Sequence, residues 1–284
     1  MIEIIKKLFF VSRPISWLNT AYPFAVGYMV SGGVINPLFF IATVYFLGPY
    51  NLLMYGINDV FDYESDIHNP RKGGIEGMKE QRSLHPAIIK AAIMTNVPFL
   101  AAIFALGNLV SAAVLVGVLF FVVAYSVAKL RFKEVPILDS ITSSLHFVGP
   151  LLFALSLTGF TVSAWPYVIA FFLWGIASHA FGAVQDIVPD RKGGLSSIAT
   201  FFGAKVTMCL AMVLYVIAAI IVIFRPMPFA IIGFVGLVYS FNIRRYMNIQ
   251  DEGSSKANVP WRHFIWINFF VGFVITIVLI AAYV

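Results

Sequence analysis

The sequence predicts an all-α membrane protein: nine transmembrane helices in a bundle, with the N-terminus cytoplasmic. Three observations carry that expectation. First, 60% of the 284 residues are apolar and 11% charged, with mean hydropathy +0.90, whereas soluble domains are about a quarter charged. Second, Asp, Glu, Lys and Arg are absent from residues 14–58, 91–128 and 140–185, and from the shorter runs 206–224, 226–243 and 263–284. Third, the basic residues fall on one side of the membrane when those runs are threaded through it.

A helix needs about 20 residues to cross the hydrocarbon core, so each long run holds two crossings joined by a tight turn. The turns are SGGVINP at 31–37, GNLVS at 107–111 and TGFTVSAWP at 158–166. The three shorter runs are single crossings. With the N-terminus inside, every one of the 19 Lys and Arg except Arg225 is cytoplasmic, and so are all 13 acidic residues. The positive-inside rule asks for this bias, and one helix more or fewer would scramble it. The formal charge of +6 is therefore an orientation signal and gives no reason to expect nucleic acid as a partner. Residues 1–284 are expected to form one polytopic domain, two pseudo-repeated four-helix units plus a last helix. The single cysteine, Cys209, lies in an apolar run, which excludes an internal disulfide and a cysteine metal site. The start, MIEIIKKLFFVSRP, has no small-residue cleavage site, so no removable signal peptide is expected.

The charges that interrupt the apolar runs form a pattern. NDVFDYESDIHNPRKGG at 58–74 and QDIVPDRKGG at 185–194 each contain DxxxD followed by RKGG. Each copy follows the second helix of a hairpin, as an internal repeat would place it. On a helix, Asp59, Asp62 and Asp66 lie within about 60° of one another and Asp186 and Asp190 about 40° apart. Pro189 predicts a kink or a helix start in the second copy. Carboxylates on one stripe repel, at about 1–4 kcal/mol per close pair. Mg²⁺, which takes oxygen ligands from a few carboxylates and substrate phosphates, removes that penalty. The plainer reading, solvated loop acids, suits Glu64, Glu76 and Glu80 better than the five aspartates. In YSVAKLRFKEVPILD at 125–139, Tyr125 and Lys129 are i, i+4 at the end of helix four, and Arg131 and Lys133 follow. Alone they read as interfacial aromatics and snorkelling cations; beside two acidic sets they suit a diphosphate, whose departing charge cations stabilise.

On NDxxDxxxD at 58–66, YxxxK at 125–129, DxxxD at 186–190 and nine helices, the chain resembles the UbiA superfamily of intramembrane prenyltransferases. The resemblance implies Mg²⁺ bridging an isoprenyl diphosphate to both acidic sets, ionisation to an allylic cation, and attack by a lipophilic acceptor at the cytoplasmic face of the cell membrane. It assigns Asp59, Asp62, Asp66, Asp186 and Asp190 to metal and catalysis, with Asn58 beside them. Lys129 and Arg131 hold the diphosphate and Tyr125 lines the cation site, while Arg13 in SRPISW matches a further position. Arg71, Lys72, Arg191 and Lys192, which follow the acidic sets, are expected to join the diphosphate contacts.

The loop NPRKGGIEG stands where quinone-precursor enzymes carry an arginine-rich stretch. With SRPISWLNTAYPF and YGINDVFDYESDI it is similar to the lycopene elongase branch, which implies a C5 donor, dimethylallyl diphosphate, and lycopene as acceptor. A hydrocarbon acceptor attacks through its terminal double bond, which needs a dry, apolar and aromatic surround rather than a strong base. Among the alternatives, a quinone-ring precursor or lipid alcohol keeps the enzyme class. A cation-coupled transporter is the other, but transporters place ionisable groups near the midplane, and here every acid lies at one face. His146 and His179 suit hydrogen-bonded core histidines better than proton acceptors.

Overall fold

The structure, a computed structural model, describes residues 2–66 and 81–283. All regular structure among them is helical, and seven helices are long and apolar enough to cross a membrane. Much of their surface is apolar and outward-facing: Phe270, Phe273, Ile277 and Ile280 form an exposed stripe on the last helix. Such a face is stable against lipid, because a helix pairs most of its own backbone polar groups. The chain is a multi-pass membrane protein.

The contacts divide it into two compact units. The first comprises residues 1–132 and 145–161. It contains α1 (Ile2–Val11), α2 (Leu18–Val30), α3 (Pro37–Leu47), α4 (Pro49–Phe61), α5 (Tyr63–Asp66), α6 (His85–Leu106), α7 (Leu109–Ser126) and most of α8 (Leu138–Thr158). Helix starts follow the local chemistry. Asn36 accepts from Phe39 N at 3.0 Å ahead of Pro37, and Asn108 and Ser111 form a reciprocal capping box at the 107–111 turn, each satisfying an orphan N–H.

The second expected helix differs from expectation in being broken at Gly48–Pro49, because proline supplies no N–H. Asn51 answers carbonyls before the break, and Asn96 adds a bond just after it. Asn51 Nδ2 donates to Phe46 O at 2.8 Å and Leu47 O at 3.2 Å, and Asn96 Nδ2 donates to Pro49 O at 2.8 Å. A similar repair serves α8. Pro150 cannot donate to His146 O, and Tyr50 Oη does so at 2.9 Å. Around these groups Phe24, Tyr45, Phe46, Tyr50 and Phe153 are fully buried.

The second unit comprises residues 133–144 and 162–284. After the first turns of α8 it holds α9 (Trp165–Val184), α10 (Ile187–Lys192), α11 (Ile198–Phe202), α12 (Ala204–Ile223), α13 (Ala230–Gly236), α14 (Val238–Ile243) and α15 (Asn258–Tyr283). Its core is aromatic: Tyr215 stacks on Tyr239 at 5.3 Å, and Trp261 on Phe264 at 5.1 Å. α8 and α9 meet where Gly175 lies against Ser144, whose Oγ donates to Phe172 O at 2.7 Å. The two units thus divide within α8 rather than after four helices, because its Ser140–Ser144 face bonds to α9 while Val148, Phe153 and Ala154 are buried with the first unit.

Within the described residues the expected crossing segments are helical, but only seven helices are long and apolar enough to span a membrane. Residues 14–30 form a 3-10 turn and the 13-residue α2, and 226–243 yields the short α13 and α14, so these two stand apart from the seven long helices.

Candidate active site

The first acidic set straddles the end of α4. Asp59 lies in its last turn, Asp62 is its C-cap and Asp66 closes α5. Backbone bonds Asp62 N to Asn58 O (2.9 Å) and Asp66 N to Asp62 O (2.8 Å) continue the helical spacing across the junction. All three carboxylates are buried, at 4, 5 and 7% exposure, which rules out solvated loop acids for them. Glu64 behaves as that plainer reading expects, pairing with Arg82 while both stay two-thirds exposed.

Cations and amides hold these carboxylates. Arg13 Nη2 donates to Asp59 Oδ1 at 2.7 Å, and the guanidinium stacks over the Tyr55 ring at 4.2 Å. Burial by itself would lower the Arg13 pKa; Asp59, supported by Tyr55 and Asp66, reverses that and keeps the group charged. Arg13 precedes Pro14, which disfavours the right-handed helical region, and it takes a left-handed φ of 51°. Asn58 Nδ2 donates to Asp62 Oδ2 at 2.6 Å and to Ser126 Oγ at 3.2 Å. Arg131 Nη2 stands 4.0 Å from Asp62 Oδ1, with its backbone also left-handed at φ 41°.

The YxxxK stretch departs from expectation. α7 ends at Ser126 and Val127 is extended, so Lys129 is not one helical turn beyond Tyr125. It is exposed in the following turn, and Arg131, two residues on, makes the approach to the acids. Tyr125 meets His146 edge-on at 5.0 Å. His146 Nε2 lies 3.3 Å from Phe121 O, a core histidine as expected.

In the second unit α9 ends at Val184 and α10 restarts at Ile187, the helix start that Pro189 predicts. Asp186 and Asp190 are half-buried and joined by Asp190 N to Asp186 O at 2.8 Å. Gly194, at φ +69°, closes α10, a backbone state that glycine adopts freely. Arg191 turns to Asp251 Oδ2 at 2.6 Å, and Lys192 is exposed. His179 Nδ1 and Ser140 Oγ are 2.9 Å apart. Arg71 and Lys72, with Glu76 and the first RKGG, lie outside the described residues.

Among the described residues no three His, Cys, Asp or Glu side chains gather closely enough to hold one metal ion. The donors are nonetheless carboxylate oxygens alone, the type a hard divalent cation takes. Sequence reasoning missed Tyr55, Ser126 and Asp251. Tyr55 stands four residues before Asp59, a helical neighbour that could have been read, whereas nothing in the sequence marks Asp251.

A model of the UbiA prenyltransferase family matches residues 20–271. The chain is 49% identical over 283 residues to a lycopene elongase/hydratase of Corynebacterium glutamicum, with 99% of each chain covered. It is 32% identical to another of that description from Haloarcula japonica, covering 81% of this chain and 79% of that one. A UbiA homolog from Archaeoglobus fulgidus, solved bound to DMAPP and Mg²⁺, shares the fold with a TM-score of 0.68 at 22% identity, over 93% of this chain and 98% of that one. By the family match and the full-length identity, this chain belongs to the UbiA prenyltransferase family and is a prenyltransferase.

Proposed function

We propose that this enzyme transfers a C5 isoprenyl group from dimethylallyl diphosphate to a carotenoid acceptor, lycopene. The observation that carries this reading is the 49% identity across 99% of both chains to the lycopene elongase/hydratase of Corynebacterium glutamicum. Nine passes, a cytoplasmic N-terminus and a site at the cytoplasmic face of the cell membrane complete it, supported by the one-sided distribution of basic residues.

Asp59, Asp62, Asp66, Asp186 and Asp190 are the candidate metal and diphosphate residues. Mg²⁺ held by these carboxylates would supply charge neutralisation for the departing diphosphate. Arg13 and Asn58 fix the buried carboxylates beforehand, and such preorganisation lowers the cost of meeting charge as it develops. Arg131, beside Asp62, offers its guanidinium to phosphate oxygens, a geometry Arg suits. The allylic C–O bond breaks, its electron pair leaves with the diphosphate, and the acceptor's terminal double bond forms the new C–C bond. The resulting tertiary cation then loses a proton or captures water. An aromatic, dry surround tolerates such cations; Tyr125 is the candidate group for it.

The test is incubation of membranes holding the protein with labelled dimethylallyl diphosphate and lycopene. Mg²⁺-dependent label in a C45 or C50 product is expected. Label appearing only with a quinone-ring precursor or a lipid alcohol would overturn the acceptor.

A further inference from the structure

Arg191 follows Asp190 directly, yet its side chain is engaged elsewhere. Its Nη1 donates to Asp251 Oδ2 at 2.6 Å and its Nη2 to Thr200 O at 2.9 Å. The other oxygen of the same carboxylate, Oδ1, accepts the backbone N–H of Ala204 at 2.7 Å, at the start of α12. One side chain from the connection between α14 and α15 therefore fastens both ends of residues 191–204. The fit is close. Gly203 has φ +78°, and a Cβ placed on it would lie 3.1 Å from Asp251 Oδ1.

We propose that Asp251 is a positioning residue for the second acidic set, acting through Arg191, and that Arg191 is a structural tie rather than a diphosphate ligand. The inference rests on the reading of Asp186 and Asp190 as metal and diphosphate residues. α10 has six residues, far fewer than the roughly 12–15 at which a helix begins to hold by itself, so tertiary ties must fix Asp190. Leu195 N bonds to Asp190 O at 2.9 Å, and the Arg191–Asp251–Ala204 chain anchors the segment from α10 to α12. With Arg191 and Asp251 at 47% and 29% exposure, this pair adds little to global stability. Its consequence is placement, as for the outer partners that orient metal ligands.

The experiment uses the full-length protein in detergent, as R191Q, D251N and the double variant. Thermal shift is measured against Mg²⁺ in the presence of an unreactive dimethylallyl thiolodiphosphate. Each single change is expected to raise the Mg²⁺ needed for half the shift about tenfold, the low end for lost outer partners. The double variant should be no worse than R191Q, because the contact that D251N breaks is already lost there, along with the Arg191 bond to Thr200 O. The ligand-free melting temperature should stay near that of the unchanged protein, since Asn keeps an acceptor for Ala204 and R191Q leaves that bond untouched. An effect from R191Q with none from D251N would overturn the proposal, as Arg191 would then meet the diphosphate itself. Unchanged Mg²⁺ dependence in both, or loss seen only as ligand-free unfolding, would overturn it too. An unchanged protein with no Mg²⁺-dependent shift would instead sink the reading of the acidic sets, and this proposal with it.

Discussion

Removing the Arg13 charge is the sharpest test of how the first acidic set is held. The Arg13 and Asp59 side chains are 14% and 2% exposed and their charged atoms stand 2.7 Å apart. At an effective dielectric near 20 that separation is worth about 6 kcal/mol of attraction, much of it offset by desolvation, and breaking a buried pair from one side typically costs about 3–5 kcal/mol. Arg13→Met keeps the apolar stem and, like arginine, must hold φ 51°, so backbone strain cancels in the comparison. The expected loss is therefore about 3–5 kcal/mol. Arg13→Gly relieves the left-handed backbone and should recover about 1–2 kcal/mol of that. R13M with D59N removes both charges and should lose less than the two single losses summed, by up to about 3 kcal/mol. The assay is SDS-induced unfolding in mixed micelles, monitored by circular dichroism. R13M within about 1 kcal/mol of the unchanged protein, or strict additivity in the double variant, would show that the pair does not hold Asp59.

Other outcomes depend on single contacts. Asp62→Ala should abolish Mg²⁺-dependent prenyl transfer while the protein still inserts and folds, checked by product label and by circular dichroism. Tyr50→Phe leaves His146 O without the donor that Pro150 cannot supply and should cost about 1–3 kcal/mol in the same unfolding assay. Gly175→Ala drives a Cβ into Ser144, 2.9 Å from its Cβ and 3.1 Å from its Cα. It should lower the unfolding free energy by about 1–3 kcal/mol, the usual cost of overpacking.

Much of the architecture was legible because the governing costs are local. Expelling charge from hydrocarbon sets where crossings lie, so the turns at 31–37, 107–111 and 158–166 fall where the charge-free runs divide. Helical period puts Asp59, Asp62 and Asp66 on one stripe, and Pro189 restarts the helix as its missing N–H requires. The pairing of charges was the part left undecided. Asp59 takes Arg13 from 46 residues away, and Asp251 takes Arg191 from 60, distances at which chain spacing carries no information.

YxxxK marks the failure most clearly, since Lys129 leaves the helical register once α7 ends and Arg131 reaches Asp62 instead. Tertiary packing also mended the backbone: Asn51, Asn96 and Tyr50 answer carbonyls near Pro49 and Pro150. Apolar burial and helix period act along the chain and can be read there. Ion pairs and repairs of broken helices act through space, and only the folded chain selects them.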